Sequence, residues 1–249
     1  MDDDVVIHQL RKRVNDADLY DHLSFTAERG AITALFGPNG CGKSMLLNVI
    51  AGIAPKDGGT IRPERTRTTE FGYLFQNYRE SLLPWRSNRR NVAFPLELRG
   101  VRPDEIRRRV TGLTDAFGID FDMARHPYEL SGGQQQTLAL LRALITEPSL
   151  LFMDEPFSAL DYESTIRMRE RLQDYYMRRK PTILFISHDI EEAVHMASSI
   201  IVLSQRPTRV LEVIENPAPY PRPVEALNGE EFLHIKNRIL IAFKSAAHL

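Results

Sequence analysis

Three apolar runs without a charge stand out along the chain: Ala31–Phe36 (AITALF), Leu150–Met153 (LLFM) and Thr182–Ile186 (TILFI). Each is too short for a helix of ordinary length and reads as a strand buried on both faces. Further strand signals fall at Val5–Ile7, in the alternating segment Leu19–Phe25, around Ile61 after the Gly58-Gly59 turn, over residues 70–76 (EFGYLFQ), and at Ile200–Leu203 and Val210–Ile214. Helical spacing appears between them. Met45–Ala51 is closed by Gly52, a helix from Asp104 to Phe117 begins after Pro103, and one over 131–146 stops before Pro148. Tyr162–Met177, Ile190–Met196 and Glu230–Phe243 complete the set. Strands alternating with helices predict an α/β fold with a mostly parallel sheet covered on both faces.

The alternation breaks twice. From about Leu82 to Ala143 the pattern is mostly helical, which predicts a helical lobe inserted into the sheet domain. Asn216–Pro223 (NPAPYPRP) can be neither helix nor central strand, so it reads as an extended linker. The expected organisation is one unit over residues 1–215, with the lobe at about 82–143, and then a Pro-rich linker and helix over 216–249.

Composition narrows the class. The chain has 249 residues, enough for a sizeable core in one domain, and its 32 basic and 33 acidic residues leave a net charge of -1. That balance gives no general footprint for nucleic acid, and the runs Arg89-Arg90 and Arg107–Arg109 read as solvated helix faces. The single cysteine, Cys41, excludes an internal disulfide and suits a reducing compartment. The acidic start Met1-Asp2-Asp3-Asp4 lacks the basic and apolar regions of a signal peptide, and no apolar run approaches ~18 residues. If the protein works at a membrane, another chain is expected to supply the span.

The chemistry lies at the ends of the apolar runs. After Phe36 comes Gly37-Pro38-Asn39-Gly40-Cys41-Gly42-Lys43-Ser44, the pattern G-x-x-x-x-G-K-[ST] between a strand and a helix. Small residues let this backbone fold round a phosphate chain, with N–H groups and the positive helix end turned inward. Lys43 is expected at the β/γ-phosphates and the Ser44 hydroxyl on Mg²⁺. Asp154 ends an apolar strand, where a second Mg²⁺-holding carboxylate belongs, and Glu155 is placed to polarise an attacking water. The alternative reading of this pair is a cap on a following helix.

Other positions are ambiguous on local grounds. Ser131 is a good N-cap before Gly132-Gly133-Gln134, a segment that suits either an anion or a flexible turn. His188 follows a buried strand whose end faces a ligand crevice, or is structural. Gln76 is a strand-end or solvated glutamine, and Asp161 is a site residue or the cap of the next helix.

Order and spacing bring these together. The chain resembles the ATP-binding cassette family, the nucleotide-hydrolysing subunits of ABC transporters, from about Val5 to about Val213. Gly37–Ser44 is similar to the Walker A loop, Gln76 to the Q-loop glutamine, and Leu130–Gln134 (LSGGQ) to the signature. Leu150–Asp154 with Glu155 resembles Walker B and the catalytic glutamate, Ser158–Asp161 the D-loop, and His188 the switch histidine. The resemblance implies a P-loop NTPase core, an N-terminal antiparallel β subdomain and an inserted helical subdomain. It implies ATP and Mg²⁺ as cofactors, with Glu155, His188 and Gln76 catalytic and Ser44, Gln76 and Asp154 at the metal. It also implies a head-to-tail homodimer, in which each ATP sits on one copy's Gly37–Ser44 and is covered by Ser131-Gly132-Gly133-Gln134 of the other.

Two departures matter. Val14 stands where the family carries an adenine-stacking aromatic, and Tyr20, the nearest aromatic, comes several residues later. Thr137 and Leu141-Arg142-Ala143 replace common residues behind the signature. Leu82-Leu83-Pro84-Trp85, Asn91–Leu96 and Val202–Pro207 resemble the nitrate/sulfonate/taurine importer branch. The implied partners are integral membrane permease subunits and, indirectly, a periplasmic or extracellular solute-binding protein; nucleic acid is not expected. The implied location is the cytoplasmic face of the inner membrane. Leu82, Leu83 and Trp85 are candidates for the apolar floor of the permease groove. A soluble ABC ATPase acting on nucleic acid or ribosomes is the alternative function.

Overall fold

A computed structural model describes residues 4–63 and 71–246. The elements run β1 (Val5–Val14), β2 (Ala17–Ala27), β3 (Ile32–Phe36), α1 (Lys43–Ile50), β4 (Gly58–Arg62) and β5 (Gly72–Leu74). The lobe follows with α2 (Tyr78–Ser81), α3 (Asn88–Leu98), α4 (Pro103–Ala116) and α5 (Gly132–Leu144). The chain then returns through β6 (Leu150–Asp154), α6 (Tyr162–Arg179), β7 (Thr182–Ile186), α7 (Ile190–Met196), β8 (Ser199–Leu203), β9 (Val210–Glu215) and α8 (Glu230–Ala246).

The apolar runs pair side by side in a six-stranded sheet of order β5-β6-β7-β3-β8-β9. All neighbours are parallel except β9, which is antiparallel to β8 at the edge. Alternate residues of these strands feed opposite cores, as a period of two requires. Ala34, Phe36, Met153, Phe185 and Val202 face the helices of the lobe and the C-terminal half. Leu35, Phe152, Leu184, Ile186 and Leu203 face α1 and the second sheet. That second sheet is antiparallel, β2-β1-β4, and supplies Ile7, Leu10, Leu23 and Phe25. Burying both faces is why these strands carry no alternation in sequence.

Differences from the sequence reading are local. The strand read over 70–76 is confined to Gly72–Leu74, and Gln76 lies in the turn beyond it. Glu70 and Met1–Asp3 fall outside the described residues. β1 extends to Val14 and turns into β2 through Asn15-Asp16, both at positive φ, as a two-residue hairpin of right-handed twist needs. The stretch Asn216–Pro223 has neither helix nor strand, as its prolines require, yet it is firmly packed: Asn216, Ala218 and Arg222 are buried. Among the described residues no helix is long and apolar enough to cross a membrane.

Candidate functional site

The parallel strands end on one side of the sheet, and their following loops form the site. β3 leads into Gly37, where an added Cβ would lie 3.0 Å from both the Leu203 side chain and its carbonyl, so a larger residue would crowd the loop against β8. Gly42 opens α1 in the left-handed region (φ 101), against the Leu19 side chain. Its carbonyl accepts a hydrogen bond from the Tyr20 hydroxyl at 2.6 Å, and the Thr208 hydroxyl donates to the Cys41 carbonyl at 2.6 Å. The loop is thus clamped from β2 on one side and the β8–β9 connection on the other.

Lys43 is buried and its Nζ donates to the Gly37 and Pro38 carbonyls at 2.8 and 3.0 Å. An ammonium held across the loop beside the α1 N-terminus makes an anion-binding cradle. Cys41 is buried under the loop, and burial pushes its thiol pKa up, leaving a weak nucleophile.

The carboxylates arrive from β6. Asp154 is 3% exposed and its Oδ1 has no hydrogen-bond partner. Burial raises its pKa; the Ser44 hydroxyl and the Lys43 ammonium oppose that shift and the Glu155 charge adds to it. A buried carboxylate oxygen left open beside a serine hydroxyl suits a hard cation such as Mg²⁺, which completes its shell with water and phosphate oxygens. Glu155 takes a left-handed φ of 52°, a conformation a non-glycine residue holds only when its surroundings impose it. Its N–H donates to the Ile186 carbonyl at 3.1 Å, and its side chain is 3.4 Å from His188 Nδ1.

Asn39, Gly40, Gly42, Lys43, Ser44, Gln76, Glu155, Ile186, His188 and Arg206 line one open cavity of about 440 Å³. The sequence-predicted Gln76, Glu155 and His188 therefore meet the phosphate loop. Ser131-Gly132-Gly133-Gln134 does not line this cavity. Ser131 caps α5, accepting from Gln134 N–H at 3.3 Å while Gln134 Oε1 accepts from Ser131 N–H at 3.0 Å. Ser131, Gly133 and Gln134 border a separate hollow of about 270 Å³ with Leu160 and Asp161. Asp161 is the α6 N-cap, accepting from Ser164 N–H at 2.9 Å.

Two further residues of the site are not among its sequence candidates. Gln136 of α5 is buried, donates to the Glu155 carbonyl at 2.9 Å and accepts from Ala159 N–H at 3.0 Å, tying the signature helix to the catalytic loop. Arg206 reaches the cavity from the β8–β9 connection. Tyr20 is 1% exposed with its hydroxyl committed to Gly42, and Val14 is aliphatic and packs at the edge of the inner core, so neither position offers an aromatic face to a base.

The chain is similar to known proteins in sequence and fold. Residues 20–158 match the ABC transporter family. An aliphatic sulfonates import ATP-binding protein of Bacillus cereus is 33% identical over 237 residues, spanning 94% of this chain and 91% of that protein. A taurine import ATP-binding protein of Shigella sonnei is 40% identical over 196 residues, 77% of this chain and 76% of its own. Among solved structures, cbiO1 from Clostridium perfringens superposes with a TM-score of 0.77 at 24% identity, covering 100% of both chains, a likeness of fold. The chain belongs to the ABC transporter family and carries its ATP-binding cassette.

Proposed function

We propose that this chain binds and hydrolyses ATP to drive a membrane importer of small sulfonate- or taurine-like anions. The observation that carries the reading is the convergence of Lys43, Ser44, Gln76, Glu155 and His188 on one cavity, with Asp154 beside Ser44. Loop N–H groups and Lys43 bind the triphosphate, while Glu155 accepts a proton from the attacking water. His188 holds the Glu155 carboxylate and the γ-phosphate end in register. Ser44 and Asp154, with Gln76 on the same cavity wall, would hold Mg²⁺, which would supply positive charge against the phosphates.

The site is half of a larger one. The α5 N-terminus, with Ser131-Gly132-Gly133-Gln134, is suited to a γ-phosphate but borders a hollow separate from its own chain's phosphate-loop cavity. A second copy, docked head to tail, brings that terminus over the cavity. ATP then closes the dimer and hydrolysis releases it.

The lobe supplies a surface for the permease. Asn91 is fully buried and clamps the segment before α3, accepting from Leu83 N–H and donating to the Leu83, Arg86 and Ser87 carbonyls. This presents Trp85 at 74% exposure, near Phe75 and Leu98 in chain order and likewise exposed. Leu82, by contrast, is buried in the lobe core and Leu83 is half-buried, so Trp85 is the strongest of the three groove candidates. The chain sits on the cytoplasmic face of the membrane through the permease, with a solute-binding protein delivering cargo from the other side. Co-expression with candidate permease subunits in vesicles tests this: sulfonate or taurine inside the assembly's capture site should raise ATP turnover. Turnover indifferent to every such anion would remove the assigned cargo class.

A further inference from the structure

The β8–β9 connection is a rigid arm laid against the phosphate loop. Leu203 abuts Gly37, the Thr208 hydroxyl donates to the Cys41 carbonyl at 2.6 Å, and Thr208 N–H donates to the Leu19 carbonyl at 2.8 Å. The arm is also braced internally: Ser204 N–H donates to the Arg209 carbonyl at 3.0 Å and Arg209 N–H to the Ser204 hydroxyl at 2.9 Å. Arg206 sits at its tip, exposed, on the wall of the nucleotide cavity. Its neighbour Arg209 pairs with Asp21 at 3.2 Å, whereas among the described residues no ion pair forms on Arg206.

Its place along the cavity is informative. Thr208 bridges to Tyr20 and bonds to the Leu19 carbonyl, and Arg209 pairs with Asp21, so the arm runs along β2. In the strand order β5-β6-β7-β3-β8-β9 the arm leaves β8, on the opposite side of the phosphate-loop strand β3 from β6 and its carboxylates. Arg206 is therefore carried on the flank of the phosphate loop opposite β6, beside the antiparallel sheet, where the Tyr20 ring is buried and Val14 is aliphatic.

Resting on the reading of this cavity as an ATP site, we propose that Arg206 is the base-contacting residue, its guanidinium plane stacking on the purine in place of an aromatic ring. A guanidinium is planar and weakly hydrated, so it lies flat on a π-system where an ammonium does not. Selectivity by stacking is tolerant of base identity, so GTP is expected to bind comparably to ATP.

The test measures dissociation constants for ATP and for inorganic tripolyphosphate by calorimetry, with the full chain and its Arg206→Ala, Arg206→Lys and Arg206→Trp variants. Unchanged thermal midpoints without nucleotide establish that the variants fold. Arg206→Ala should weaken ATP roughly three- to thirtyfold, the span of a cation–π contact, and leave tripolyphosphate unchanged. Arg206→Lys should recover little, and Arg206→Trp should restore ATP binding. Equal weakening of ATP and tripolyphosphate, or full rescue by lysine, would make Arg206 a phosphate contact and overturn the proposal, as would unaltered ATP binding in Arg206→Ala. Failure of the unaltered chain to bind ATP would instead strike the nucleotide-site reading itself.

Discussion

His188 Nδ1 and Glu155 Oε1 lie 3.4 Å apart, joining the ends of β7 and β6 across the mouth of the cavity. The backbone of Glu155 is held at positive φ by its N–H bond to Ile186 and by Gln136 on its carbonyl. A carboxylate fixed at this point and steadied by an imidazole is placed to take a proton from water.

Replacing Glu155 by Gln keeps shape and removes the base. Turnover should fall about 10²- to 10⁴-fold, the range for a general base, while ATP affinity stays within a few-fold of the unaltered chain. Size-exclusion chromatography in ATP and Mg²⁺ should then show a persistent dimer. A variant that remains monomeric with ATP bound would count against closure by nucleotide.

Arg222 is the principal tie between the Pro-rich stretch and the body. It is 2% exposed and donates to the carbonyls of Val194, Ala197, Asn216 and Ala218, with its guanidinium 4.2 Å from the centre of the Tyr220 ring. Two of these carbonyls belong to the C-terminal end of α7, where a cation is favoured by the helix dipole. Arg222→Met fills the volume but cannot donate, so we predict a loss of about 3 kcal/mol, from several buried acceptors left unpaired. Urea unfolding reads this directly, and a loss below about 1 kcal/mol would contradict the assigned role.

His195 gives the fold a pH dependence. It is fully buried, and its Nε2 meets the Arg222 carbonyl at 2.7 Å. Burial lowers its pKa, the hydrogen bond to the Arg222 carbonyl opposes this, the Arg169 and Arg222 charges reinforce it, and Glu225 opposes it. The unfolded chain takes up a proton near pH ~6.5 and the folded chain does not, so stability falls as pH drops below that value and levels off at the lower folded pKa. His195→Gln should remove up to about 1.4 kcal/mol per pH unit from the slope in this window. Parallel stability curves for the two proteins would refute the assignment.

The uninterrupted apolar runs made the parallel sheet legible, because burial on both faces writes itself into Ala31–Phe36, Leu150–Met153 and Thr182–Ile186. The phosphate loop and the carboxylates were legible because strand ends fix where such groups point. Contacts between distant segments were not. Nothing local to Arg206 shows that its arm lies on Gly37 and Cys41, and nothing in the proline pattern shows that Arg222 is buried under α7. Proline content predicts the absence of helix and strand, which holds for Asn216–Pro223, but not whether the stretch is packed. Gln136 likewise occupies an ordinary helical position, and only the fold places it beneath Glu155.

A site shared between two copies is the central claim, and mixing two inactive variants tests it. Lys43→Ala disables the phosphate loop, and Gly132→Asp sets a carboxylate against the γ-phosphate from the facing copy, with the side-chain ends of Arg79 and Tyr78 as the neighbours of the added Cβ. Each homodimer should be inactive. In a mixed dimer one site combines both lesions and the other carries none, so a random equal mixture should regain about a quarter of the unaltered turnover. A mixture no more active than its two parents would show that each chain completes its own site.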